Sequence, residues 1–174
     1  QVPLHLSVFM DTGSGLKELL ASADGRSQAI AQIVNEVTVT YQAIGRNPYS
    51  GVTIDFEGLR SGQKADFTAF IQALAKELDK LGKSLYVCLS PALAGGSYYD
   101  GYDYRAIGDA ADKVILMAYD YESRDASLYV GSCIRDNQTF AQSTQNAPLG
   151  QVFWSLMAIT DDATGVRDPS KVLL

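Results

Sequence analysis

Short, largely apolar runs alternate along this chain with longer stretches whose apolar residues recur at helical spacing. The runs are Leu4–Met10, Val52–Glu57, Leu85–Ser90 and Val114–Asp120, and each reads as a β-strand. Between the first two, the loop Asp11–Gly15 leads into a short helix over Leu16–Ala21. Asp24-Gly25 then reads as a turn and Ser27 as an N-cap. Ile30, Ile33, Val34, Val37, Tyr41 and Ile44 follow at helical spacing until Gly45, although the β-branched run Val37–Thr40 weakens that helix locally. A second amphipathic helix carries Phe67, Phe70, Ile71, Leu74, Leu78 and Leu81 on one stripe and ends at Gly82. A Gly/Tyr loop from Gly95 to Tyr99 precedes a short helix near Tyr104–Ala111. Residues 121–174 form a longer excursion with a helix around Gln151–Asp161, and Val172-Leu173-Leu174 looks like the start of another buried strand.

Strands alternating with helices at this spacing predict an α/β protein built on a parallel sheet. No linker or low-complexity segment divides residues 1–174, so one domain is expected. Two architectures fit the pattern: an open doubly wound sheet, or part of a (β/α)8 TIM-type barrel. A whole barrel typically needs about 250 residues, so four clear strands amount to about half of one. Ending inside a strand is strange for a natural C-terminus, and a truncated or clipped piece is the expectation. Half a barrel would expose an apolar edge, through which self-association or pairing with a complementary fragment is expected.

Composition narrows the function classes. The 174 residues are 47% hydrophobic and 20% charged, an ordinary balance that can build one core. The formal charge of −6 and the absence of a basic patch argue against nucleic acid as a partner. A single histidine, His5, argues against a histidine-rich metal site. Ten tyrosines and six phenylalanines could line a sugar-stacking groove, or simply fill core and rim. Cys88 lies in a strand and reads as a buried free thiol, while its distance from Cys133 is not set by sequence. No segment is long and apolar enough to span a membrane, and no signal peptide is visible after Gln1. Asn137-Gln138-Thr139 matches a glycosylation sequon, a match common by chance.

The candidate chemistry sits at strand ends. Asp55 and Glu57 are two residues apart and so point to the same side of a strand. Tyr119-Asp120-Tyr121 closes the fourth apolar run after Met117, and Ser90 ends the strand between. Parallel strands present their C-terminal ends at one face, where such folds place active sites. Two or three carboxylates with a phenol suit glycoside hydrolysis, in which one acid protonates a leaving oxygen. The same carboxylates could hold a divalent cation.

Gly51-Val52-Thr53-Ile54-Asp55-Phe56-Glu57, followed about sixty residues later by Met117-Ala118-Tyr119-Asp120-Tyr121, resembles glycoside hydrolase family 18, closest to its bacterial spore-cortex and cell-wall members. Tyr102–Gly108 and Ala111-Asp112 resemble the same family's approach to the second motif. The resemblance covers the whole chain and implies roughly the third to sixth βα units of the barrel. It implies hydrolysis of β-1,4 bonds at N-acetylglucosamine in peptidoglycan or chitin, with retention and with the substrate's acetamido group as nucleophile. It casts Glu57 as general acid and base, Asp55 as the residue orienting the acetamido group, and Tyr119 as a hydrogen-bond donor to it. Asp120, Met117 and Tyr121 would shape the sugar site. No cofactor or metal is implied, and the location would be secreted, at the cell wall or spore. A non-catalytic, lectin-like member of the same fold is the alternative, although such relatives usually lose the acid. The family's pattern has acids where Ser50 and Thr53 stand, and the inner one would share a proton with Asp55. Thr53 can still donate a hydrogen bond. Trp154 does not occupy the position of the family's floor tryptophan, and reads as helix or packing surface.

Overall fold

The computed structural model describes residues 2–91, 100–121 and 147–174. The strands are β1 (His5–Met10), β2 (Gly51–Phe56), β3 (Ser84–Leu89), β4 (Lys113–Leu116) and β5 (Val172–Leu173). They form one sheet in the order β1-β2-β3-β4-β5, every neighbouring pair parallel. The helices between them are α1 (Leu16–Ala21), α2 (Ala23–Glu36), α3 (Lys64–Lys80), α4 (Tyr104–Ala110) and α5 (Leu149–Ile159). A doubly wound sheet reverses its strand order at a switch point; these five strands follow chain order without reversal, as barrel winding requires. The expected α/β parallel sheet is therefore present, and the tail at Val172 does join it as a strand beside β4.

The two faces of the sheet differ. Val52, Ile54 and Phe56 of β2, Leu85, Val87 and Leu89 of β3, and Val114 and Leu116 of β4 are sealed under the helices. Their partners are the α3 stripe, Phe67, Phe70, Ile71, Leu74 and Leu78, with Leu16 and Leu20 of α1 and Ile107 of α4. Phe56 stacks on Phe70 with ring centroids 5.4 Å apart and lies 5.9 Å from Phe67. Burying each such side chain stabilises the fold by about 1.5–3 kcal/mol. The intervening residues of β2, Thr53 and Asp55, face the other side and are only half-buried. At the N-terminal end of that side, His5 Nδ1 lies 3.2 Å from Thr53 Oγ1, and Ser84 Oγ lies 2.9 Å from His5 Nε2. The His5 ring also packs against Tyr86 at 4.3 Å, so one side chain ties together β1, β2 and β3. Burial lowers the pKa of His5 and keeps the imidazole neutral.

Several local expectations shift. The N-cap of α2 is Ser22, whose hydroxyl accepts from Gly25 N at 3.0 Å; Asp24 and Gly25 lie in the first turn and Ser27 lies inside the helix. The same helix stops at Glu36, well before Gly45. Thr38 Oγ1 bonds back to Val34 O at 2.8 Å, and Asn47 Nδ2 donates to Glu36 O at 2.9 Å and Val39 O at 2.8 Å. Those contacts satisfy the last carbonyls just where β-branched residues disfavour continuation. At the end of α3, Gly82 at φ 63° forms a Schellman close, with Gly82 N to Asp79 O at 3.1 Å and Lys83 N to Leu78 O at 3.0 Å. Leu81 falls outside the core stripe and is 41% exposed. β4 ends at Leu116, because Ala118 N bonds back to Leu116 O and Tyr119 N to Met117 O, both at 2.9 Å. The Gly95–Tyr99 loop, Cys133 and the sequon at Asn137 lie outside the described residues.

Phe56→Ala is expected to cost about 3–5 kcal/mol in urea unfolding, whereas Leu81→Ala stays within about 0.5 kcal/mol of the parent.

Candidate active site

The pleat of β2 builds the site. Its apolar residues are fixed under the helices, so Asp55 is held on the opposite face near the strand's C-terminal end. Glu57 continues that alternation just past the strand, anchored by its own N–H to Met10 O at 2.9 Å. Gly58 then turns the chain at φ 74°, and a side chain there would press on Thr12. On the other flank, Met117 N donates to Leu89 O at 3.0 Å, which carries the chain off β4 toward Tyr119 and Asp120.

Asp55, Met117 and Tyr119 border one cavity of about 360 Å³, together with Cys88, Val152 and Leu174. One oxygen of Asp55, Oδ1, is buried with no hydrogen-bond partner among the described residues. Burial raises the pKa of Asp55. Glu57 is raised first by burial and then by the negative charges of Asp55, Asp11 and Asp120. Tyr119 is raised first by burial and then by the negative charges of Asp55 and Glu57, so the phenol keeps its proton as a donor. Cys88 is free, and burial, followed by the nearby Asp55 and Glu57, pushes its thiol up to about 12. It stays neutral, a small filler beneath the carboxylates rather than a nucleophile.

The structure thus brings together Asp55, Glu57, Met117, Tyr119 and Asp120 from two strand ends far apart in sequence. Tyr121 turns its hydroxyl to Ser155 of α5, 2.9 Å away. The carbonyl of Ser90 accepts from Tyr104 Oη at 2.8 Å, and Trp154 lies on the exposed side of α5. Asp11 is the acid that sequence reading passed over as part of a loop. Its signal was position: it follows β1 as Glu57 follows β2. Among the described residues no three His, Cys, Asp or Glu side chains are grouped as metal ligands. A larger surface groove of about 610 Å³ lies between α2 and α3, but Glu77 is the one carboxylate lining it.

The pattern of the glycosyl hydrolases family 18 matches residues 6–174. A Bacillus subtilis protein whose name describes a sporulation-specific glycosylase, YdhD, is 29% identical over 121 residues, covering 68% of this chain and 28% of its own length. The cortical fragment-lytic enzyme of the same organism is 27% identical over 93 residues, or 52% of this chain and 21% of that protein. Among solved structures, the C-terminal domain of a protein named as a chitinase from Desulfitobacterium hafniense superposes with a TM-score of 0.75 at 25% identity, covering 98% of this chain and 44% of that one. The chain therefore spans less than a third of the length of these curated relatives and less than half of the solved one.

Because Asp55 and Glu57 both have raised pKa values in the folded state, the folded protein keeps protons over a pH window in which the unfolded chain has already released them. Their contribution to stability is full below the ordinary carboxylate range and is lost as pH rises through the raised values. Glu57→Gln should therefore melt above the parent at neutral pH, with the gap closing at a pH below the ordinary carboxylate range. Thermal denaturation at the two pH values checks this.

Proposed function

The chain belongs to the glycosyl hydrolases family 18, and we propose that the protein cleaves β-1,4 bonds next to N-acetylglucosamine in peptidoglycan or chitin. The observation that carries this reading is the pairing of Glu57 with Asp55, whose Oδ1 is buried without a partner, at a cavity bordered by Tyr119. An orphaned carboxylate oxygen is costly and favours a ligand that brings a donor. The N–H of a 2-acetamido group is such a donor.

The chemistry then follows from the side chains. Glu57 holds its proton above the ordinary range and delivers it to the glycosidic oxygen as that bond breaks. The acetamido carbonyl oxygen attacks the anomeric carbon from the opposite face and forms a cyclic oxazolinium-type intermediate. Asp55 accepts from the acetamido N–H and stabilises the positive charge on that ring. Tyr119 donates to the acetamido oxygen and orients it. Glu57, now ionised, takes a proton from water, which attacks the anomeric carbon and restores its original configuration. Met117 and Asp120 shape the walls of the sugar site. Thr53, in the place of the family's inner acid, contacts His5 rather than a second carboxylate.

Five parallel strands in chain order, and a 44% share of the solved relative, support reading these residues as part of a (β/α)8 barrel. Relatives named for sporulation and cortex lysis support a place of action at the cell wall or spore.

In the full-length protein, Glu57→Gln should reduce hydrolysis of N-acetylglucosamine oligomers or cortex fragments by at least about 10²–10⁴-fold. Unchanged turnover in that variant would overturn the reading. The basic limb of the kcat/KM profile should report Glu57 above the ordinary glutamate range. Asp11→Asn, which removes one of the charges raising it, should move that limb to lower pH.

A further inference from the structure

The run Val152–Ile159 of α5 carries one hydroxyl, Ser155, among apolar residues. Ser155 is fully buried. A hydroxyl in that position is costly unless it is hydrogen-bonded, and alanine would suit the helix better. A partner of Ser155 is the Tyr121 hydroxyl, 34 residues earlier in the chain and 2.9 Å away.

Tyr121 follows the segment that leaves the sheet after β4. After Met117 N donates to Leu89 O, the chain leaves the sheet ladder and makes two tight local turns, Ala118 N to Leu116 O and Tyr119 N to Met117 O. Asp120 follows at φ 54°, the one non-glycine residue in the left-handed region among the described residues. An L-residue resists that backbone and keeps it only where its surroundings over-determine it. Tyr119 is 51% exposed, so its own packing does not fix its ring.

We propose that Ser155 is a positioning residue: its hydrogen bond to Tyr121 anchors the segment that presents Tyr119 and Asp120, in concert with the bond from Met117 N to Leu89 O of β3. Ser155 touches no substrate. It acts through Tyr121, holding Asp120 in its left-handed turn and so aiming the Tyr119 hydroxyl into the cavity beside Asp55. The inference rests on the glycosidase reading of the Asp55–Glu57 site. It gives Tyr121 the role of a clasp in place of a sugar contact.

The test uses the full-length protein and N-acetylglucosamine oligomers, with Ser155→Ala, Tyr121→Phe, the double variant and Glu57→Gln assayed side by side. Tyr121→Phe keeps the ring and removes only the donor, so it is informative even if Ser155→Ala folds poorly. Each single variant should lower kcat about 10-fold or more, since small misplacements of a catalytic group are that costly, with KM within about twofold. The double variant should be no slower than either single, because both remove one interaction. A crystal structure of either single variant should show Asp120 outside the left-handed region or the Tyr119 ring displaced. Wild-type kcat in both single variants, losses that multiply in the double, or an unmoved Tyr119 and Asp120 would each overturn the proposal. Should Glu57→Gln be inactive while both clasp variants run at the parent rate, the positioning role fails and the glycosidase reading stands. Should Glu57→Gln remain active, the glycosidase reading fails, and the position of Asp120 in the variant structures still decides whether the clasp holds the turn.

Discussion

The burial of one face of β2 is the constraint on which the rest depends. Val52, Ile54 and Phe56 are locked beneath α3 and its neighbours, with Phe56 between two phenylalanine rings. Because side chains alternate along a strand, that burial leaves Thr53 and Asp55 no choice of direction, and Glu57 continues the same side. A slip of one residue would turn the carboxylates into an apolar core, at a cost far beyond the stability of a domain this size. The acids are therefore positioned by hydrophobic packing on the far side of the strand, not by contacts among themselves.

Gathering acids in this way sets their protonation. Asp55 and Glu57 are both pushed toward the neutral form by exclusion of water, and Glu57 further by the like charges crowded around it. That arrangement is unfavourable for the resting protein and favours the protonated form that the proposed general acid needs. The neighbouring groups avoid working against it: Cys88 remains a neutral thiol and Tyr119 a neutral phenol. Below, the neutral His5 couples Thr53 to Ser84 and Tyr86, so the polar column beneath the carboxylates adds order without adding charge.

The two sides of the site are held by different means. The β2 side is rigid because it belongs to the sheet, with Glu57 N still bonded to Met10 O. The β4 side leaves the sheet after Leu116, and its contacts there include short local bonds and the hydrogen bond between Tyr121 and Ser155. A carboxylate pair on a strand, facing a tyrosine on a turn, lets the turn vary in sequence and shape while the acids stay fixed.

The order of strands and helices, the core stripe of α3 and the shared face of Asp55 and Glu57 could all be read from the chain alone. Each is a short-range consequence of residue spacing, and the spacing of a strand or a helix is set by local geometry. The two motifs ending in Glu57 and in Tyr119-Asp120 also made the family recognisable before any coordinates. What spacing could not supply were contacts between residues far apart in the chain. Asn47 terminating α2, Asp11 arriving beside Glu57, β4 stopping short of Tyr119 and Ser155 receiving the Tyr121 hydroxyl all depend on how elements meet. Periodicity carries no information about which buried hydroxyl finds which partner, or which charges come within range of one another. Those pairings were decided only when the sheet closed its strands into order and the helices sealed one side of it.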